Sequence, residues 1–245
     1  MDFNLFSYPA KGNKLAAVER PLSHKLDAIA GESLIKEKTP LLAYDESINK
    51  FGALEGSAFL TSHSLILIQE SEYIPSCLLT FYFYTKANRY SRSGIIRADQ
   101  DPAEIASKKD YVKDRYEFIT ANAPPNSIVF IDGPLIGGQI TSYTERLNDA
   151  LLRKNIIPLF CVKNSFGSLV TDNMPELIGQ YNSDLHWAYE FLKPGERSCF
   201  FKYKDPVGHA KLFCYIKPFD VSPERVEMHV KTFEYPGHSP DFVGS

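Results

Sequence analysis

The chain has 245 residues, 44% of them hydrophobic, which is enough to bury one good core, and α/β domains of this length are commonly single. Its 27 Lys plus Arg against 30 Asp plus Glu give a formal charge of −3, so the global electropositive signature of a nucleic-acid binder is excluded and any polyanion site must be local. Four widely spaced cysteines without a CxxC pair exclude a zinc ribbon and a disulfide frame, and no apolar run approaches bilayer length.

Cys77, Cys161 and Cys214 lie in apolar runs and, with Cys199, read as reduced residues of a cytoplasmic protein. The opening stretch MDFNLFSYPAKGNK lacks the apolar centre of a signal peptide. A helical lead-in is expected over 22–37. LLAYD (41–45) then reads as a short buried strand ending in an acid. GALEGSAFLT, SLILIQE and SCLLTFYFYT follow as three more strand-like runs, expected to be antiparallel neighbours. A helix starts at Asp101 as N-cap, with Pro102 in its first position and Glu104 placed to close a capping box. Its apolar stripe is read as Ile105, Val112, Tyr116 and Ile119, and Pro124-Pro125 ends it.

SIVFI (127–131) is a strand, TSYTERLNDALLRKN an amphipathic helix and IIPLFCVK another strand, the βαβ pattern of a parallel pairing. MPELIGQY and DLHWAYEFL are expected to be helical, with Trp187, the only tryptophan, packing in the core. RSCFFKYK, KLFCYIKPF and RVEMHVKTF alternate apolar and polar residues as an antiparallel sheet with one wet face does. The tail FEYPGHSPDFVGS carries no compact element, and the chain is expected to stop early relative to a longer relative.

Two acids stand out at strand ends, Asp45 and Asp132. Asp132-Gly133 is also an ordinary turn former, since both residues favour turns. The order of strand with terminal acid, antiparallel strands, helix, then strand with terminal acid resembles that of the ribonuclease-H-like α/β fold. In that fold the first and fourth of these strands lie side by side and would bring Asp45 and Asp132 together. An intervening helix supplies a third acid. Converging carboxylates repel unless a hard divalent cation neutralises them, which points to Mn2+ or Mg2+.

FIDGPL, then an amphipathic helix and IPLFCVKNS, resembles the NurA nucleases, with RVE in PERVEMHV after a YIK strand similar to that family's late strands. AYDES resembles the family's first acidic strand end, with Glu46 where glycine is usual. The resemblance covers about 40–235 of a single domain spanning 1–245, with extra C-terminal antiparallel strands. It implies a metal-dependent DNA nuclease of ribonuclease-H-like fold, often a homodimer, working beside a HerA-type hexameric ATPase in DNA end processing or defence. By the resemblance, Asp45 and Asp132 are metal-binding aspartates, Glu117 is the helical acid and Lys163 a phosphate contact. Asp114 is the second choice for the helical acid, while Glu104 is better explained as a cap and Glu117 also pairs readily with Lys113. A late tyrosine and histidine of the family match Tyr235 and His238 poorly, so that part of the site is expected to be missing.

Two other classes stay open. One is an adaptor subunit of a HerA-type ATPase that keeps the fold without catalysis. The other is a nucleotide-binding module, against which stands the absence of GxGxxG or GxxxxGK[ST], since Gly137-Gly138 precedes a helix but has no following lysine. Arg89, Tyr90 and Arg92 form the best local basic and aromatic cluster for a DNA strand.

Overall fold

A computed structural model describes residues 6–8, 13–26, 39–54, 56–69, 72–85, 88–91, 94–97, 103–136, 141–163 and 167–233. The chain divides into two compact units, one of residues 39–132 and 138–157, the other of residues 1–38, 133–137 and 158–245. Asp101 and Pro102, Gly137-Gly138, Tyr235 and His238, and the side chains of Arg89, Tyr90 and Arg92 lie outside the described residues.

The unit containing both strand-end aspartates is built on three long strands, β4 (Leu41–Ala53), β5 (Gly56–Gln69) and β6 (Glu72–Thr85), each antiparallel to the next. The sequence divides this region into four runs, and the structure corrects that to three. GALEGSAFLT holds a tight connection between Ala53 and Gly56, and the polar His63 does not interrupt β5. Gly56 is the one residue type that fits there, because an added Cβ would lie 2.0 Å from the carbonyl oxygen of Tyr84. Two short strands, β7 (Asn88–Ser91) and β8 (Gly94–Arg97), extend the sheet beyond β6.

On the other edge of β4 lies β9 (Ile128–Asp132), parallel to it and in register from Leu41↔Ile128 to Tyr44↔Ile131. The order β6-β5-β4-β9, with one parallel pairing, is the ribonuclease-H-like arrangement expected from the element order. β9 stops at Gly133, whose φ of +109° is accessible to glycine and strained for other residues.

Helix α1 (Ala103–Asn122) covers one face of these strands and buries Tyr111, Val112, Arg115, Phe118 and Ile119. Its phase differs from the expected stripe: Tyr116 is exposed, and the centre of the buried face is Arg115, a residue no apolar pattern detects. Its rows of tyrosine contacts are polar at the tips, with Tyr84 donating to Asp110 (2.7 Å) and Tyr82 to Asp114. Helix α2 (Thr141–Arg153) buries Leu147, Ala150, Leu151 and Leu152, as its amphipathic spacing requires.

In the other unit, β10 (Ile157–Val162), β14 (Glu224–His229), β13 (Ala210–Lys217), β12 (Phe201–Lys204), β2 (Asn13–Ala17) and β1 (Phe6–Tyr8) form an antiparallel sheet in that order. RSCFFKYK splits into β11 (Glu196–Ser198) and β12, and β11 also pairs with β3 (Ser23–Lys25). The expected lead-in helix is therefore strand where it is described, because its first residues complete β11, and positions 27–38 are outside the described residues. MPELIGQY forms turns, not a helix, and RVEMHVKTF ends in a short helix, α4 (Val230–Phe233).

Trp187 on α3 (Asp184–Phe191) is packing, as expected: its ring meets Phe191, Phe201 and Tyr215. The turns before α3 are held by buried Asp184, which accepts from the backbone N–H of Val170 and Thr171 and from the Tyr215 hydroxyl. Burial raises the Asp184 carboxyl pKa, and those three donors oppose the shift. Glu227 is fully buried, takes Lys211 and Arg225 as counter-ions and accepts from the Leu135 N–H at 3.0 Å. Cys199 and Cys214 are buried thiols pushed up to about 12, while Cys77 is exposed, contrary to its apolar surroundings in sequence. It falls on the uncovered face of β6. Among the described residues, no helix is long and apolar enough to cross a membrane.

Candidate functional site

Successive residues of a strand face opposite ways, so β4 deals its residues to two environments. Leu42, Tyr44 and Glu46 face α1, with Tyr44 beside Phe118 and Glu46 on Arg115. Ala43, Asp45 and Ser47 are exposed on the opposite face. In β9, Val129 and Ile131 are buried and Phe130 is exposed, so Asp132 shares the outer face of Phe130. One step beyond the last registered pair, Tyr44↔Ile131, Asp45 lies abreast of Asp132. Neighbouring strands are about 4.8 Å apart, so the two aspartates belong to adjacent strand ends.

The surroundings of the pair are rich in oxygen. Ser64 is the cross-strand partner of Asp45 on β5, and the hydroxyls of Ser47 and Ser62 meet at 2.8 Å two residues further along, on the same face. Oδ1 of Asp45 accepts from the backbone N–H of Glu46 at 2.8 Å, which orients the carboxylate. Around this polar strip the same face exposes Phe130, Ile66 and Leu60, with Leu79 64% and Phe81 53% exposed on β6.

Behind the strip, on the α1 side, is a buried polar network. Arg115 binds Glu46 through both Nε (2.7 Å) and a terminal nitrogen, Tyr44 donates to the same carboxylate at 2.5 Å, and its hydroxyl lies 2.6 Å from Nδ1 of His63. With the hydroxyl proton directed at Glu46, the second bond requires a proton on His63 Nδ1. Nε2 is then a bare lone pair, buried without a partner. Burial lowers the His63 pKa, against the attraction of Asp114. Burial likewise raises the Tyr44 and Tyr111 hydroxyls and lowers Arg115.

Asp45 and Asp132 each follow the last β4–β9 pair by one residue, whereas Glu117 lies on the outer side of α1. Glu117 is 54% exposed on the outer side of α1, 3.6 Å from Lys113, two positions and thus about 200° around the helix from inward-facing Arg115. Nearness to the helix end suggested it, and helix phase decides against it. Asp114 is engaged by Tyr82, and Glu104 is bound to Lys50 at the surface. Lys163 is exposed just after β10. Among the described residues, no group of three or more acidic, histidine or cysteine side chains could together hold an ion. Sequence reasoning missed Glu46, Arg115 and His63. Their signal was the charged Arg115 inside an otherwise apolar helical stripe.

Two carboxylates on an open face with hydroxyls beside them fit a hard cation that keeps several waters and shares its remaining positions with a phosphate. The donor set is all oxygen, which suits Mg2+ or Mn2+ and not a thiophilic metal.

A family model for the NurA domain matches residues 30–241. The chain belongs to the NurA domain family. The match spans the whole stretch from β4 to β14, and it agrees with the resemblance carried by FIDGPL and IPLFCVKNS. Among solved structures, the crystal structure of the NurA nuclease from Sulfolobus solfataricus is similar, at 12% identity and a TM-score of 0.47, over 78% of this chain and 68% of that one. No curated protein matches.

Proposed function

We propose that the chain is a metal-dependent deoxyribonuclease in which Asp45 and Asp132 hold Mn2+ or Mg2+, acting as a homodimer with a HerA-type ATPase. The observation that supports the reading is the parallel β4–β9 register, whose last pair, Tyr44↔Ile131, immediately precedes Asp45 and Asp132, in a chain of the NurA family. A bound ion would supply an acidified water and charge stabilisation at phosphorus. The chain's own residues do the positioning. The Glu46 N–H orients Asp45, Arg115 fixes Glu46, and Ser47, Ser62 and Ser64 offer hydroxyls to phosphate oxygens. The exposed rims of Phe130, Ile66 and Leu79 offer flat apolar surface to sugars and bases.

Asp45→Asn and Asp132→Asn each test it. Either change removes a ligand and also relieves repulsion between like charges, so Mn2+-dependent cleavage of DNA should be lost while the metal-free protein melts no lower than the parent. The parent should gain about 2.7 kcal/mol of stability at one hundred times the Mn2+ Kd, and the variants should not. Cleavage surviving in both variants would refute the assignment. A lower melting temperature in metal-free buffer would mean that the aspartates cap the strand ends.

A second reading, an ATPase adaptor without catalysis, is favoured by one observation: the acid following Asp45 is closed off by Arg115, and the helical position facing it is a cation. Such a protein would bind a HerA-type ATPase with neither a Mn2+-induced shift nor cleavage.

A further inference from the structure

We infer that the groove between α1 and α2 binds the phosphate backbone of a single-stranded nucleic acid. The groove has a volume of about 530 Å³ and lies on the helix-covered side of its unit's sheet, away from the face of Asp45 and Asp132. Lys109, Lys113 and Tyr116 line it from α1, and Tyr143, Arg146 and Arg153 line it from α2. Positions 109, 113 and 116 share one helix face, as do 143, 146 and 153, so each wall presents cations and a ring to the same space.

The acids in the groove are fewer than its cations. Asp110 and Asp149 line it too, two carboxylates against four cations, and Asp110 is turned to the sheet, accepting from Tyr84 at 2.7 Å. Lys113 meets Glu117 at 3.6 Å as an exposed pair, an interaction weak enough for a phosphate to displace. The Arg146 guanidinium lies 5.9 Å from the centre of the Tyr143 ring, which pre-orients a cation beside an aromatic face.

Exposed Tyr116 and half-buried Tyr143, set among cations, decide the class of ligand. An acidic polypeptide would use the charges and leave the rings idle, whereas a single strand pairs its phosphates with the cations and stacks bases on the rings. The chain's net charge of −3 makes such a local device necessary for holding any strand. The surface stands apart from the metal reading, because binding here needs neither aspartate.

The test is fluorescence anisotropy in EDTA with a labelled oligothymidylate of about 16 nucleotides, across a salt series. Each phosphate contact to a single strand contributes about 0.7 to the slope of log K against log salt. Arg146→Ala/Arg153→Ala should therefore flatten the slope by about 1.4 and weaken binding roughly 25-fold at about 0.1 M salt. Tyr143→Leu should weaken binding with the slope unchanged. Both arginines are exposed, so far-UV circular dichroism should match the parent. Unchanged affinity and slope in the double variant would overturn the inference. So would polyglutamate binding more tightly than the oligonucleotide with the same dependence on the arginines, which would make the groove a protein-docking surface. Binding is scored in EDTA and Mn2+-dependent cleavage is scored separately, so failure of the nuclease reading and failure of this one are separately visible.

Discussion

Replacing Arg115 by methionine removes the only cation on Glu46 among the described residues while leaving the carboxylate under α1. The Glu46 side chain is 12% exposed and that of Arg115 6%, so water cannot take the place of the lost guanidinium. Two charge-assisted hydrogen bonds disappear, and the Tyr44 hydroxyl at 2.5 Å is left as the remaining side-chain donor. Removing one partner of such a buried pair costs about 3–5 kcal/mol, a large part of the roughly 5–15 kcal/mol that holds a domain folded. Replacing both, as Glu46→Leu/Arg115→Met, should return to within about 1–2 kcal/mol of the parent, since a well-packed apolar pair avoids the desolvation of two charges and Tyr44 still has His63 Nδ1 as a partner. Urea titration followed by far-UV circular dichroism is the assay, because the single tryptophan lies in the other unit and would not report on this one. The decisive number is the coupling energy of the double-mutant cycle. A single variant costing under about 1 kcal/mol, with the double simply additive, would refute the claim that this pair is a buried, mutually dependent unit.

The remaining predictions concern pH and the turn after β9. His63 has a folded-state pKa below its ordinary value, so the unfolded chain takes up a proton that the folded chain refuses; stability should be full above about pH 6.5 and fall as pH drops through that value, by up to about 1.4 kcal/mol per unit. Tyr44, Glu46, Arg115, Tyr111 and Asp114 surround the ring, and His63→Asn, which keeps a donor near Nδ1, should flatten melting temperature against pH between about 5 and 6.5; parallel curves for variant and parent would count against the assignment. Gly133→Ala places a Cβ on a backbone with φ +109° and should cost on the order of 1 kcal/mol in urea titration, even though no atom lies within 4 Å of the new group; an unchanged midpoint would mean the turn relaxes freely.

Much of the fold was legible because strands and helices announce themselves by period and by breakers. The adjacency of β4 and β9 followed from element order alone. Helix phase was the harder quantity. The stripe read as Ile105, Val112, Tyr116 and Ile119 passed over Arg115 because hydropathy gives no credit to a buried cation, and with the phase misread, Glu117 looked available. The lead-in at 22–37 failed for a different reason: Ser23–Lys25 has no strand signature of its own and is strand because β11 offers it an edge. MPELIGQY has helical spacing but only turns: Leu177 and Gln180 donate three residues back to Met174 and Leu177, and the turns just before it are held by the Asp184 carboxylate through the N–H groups of Val170 and Thr171. Tertiary partners decided both cases, and no window of sequence contains them.

The adjacent acids Asp45 and Glu46 show how a period of two divides one charge from the next. Both sit in the same strand, one peptide apart, and the pleat sends Glu46 under α1 and Asp45 into the open. Burying Glu46 is tolerable only because α1 presents Arg115 at that level, and the bidentate contact in turn ties the helix to the strand. A one-residue slip of β4 against β5 would exchange the two, placing Asp45 against Arg115 and Glu46 on the outer face. Aspartate is one methylene shorter than glutamate, so the slipped register would leave the guanidinium poorly met as well as misplacing Leu42 and Tyr44 from the core. The Glu46–Arg115 pair therefore specifies register, and through register it determines which of the two β4 carboxylates lies on the outer face. Loss of the pair should for that reason disturb metal binding at Asp45 even though neither Glu46 nor Arg115 faces the ion.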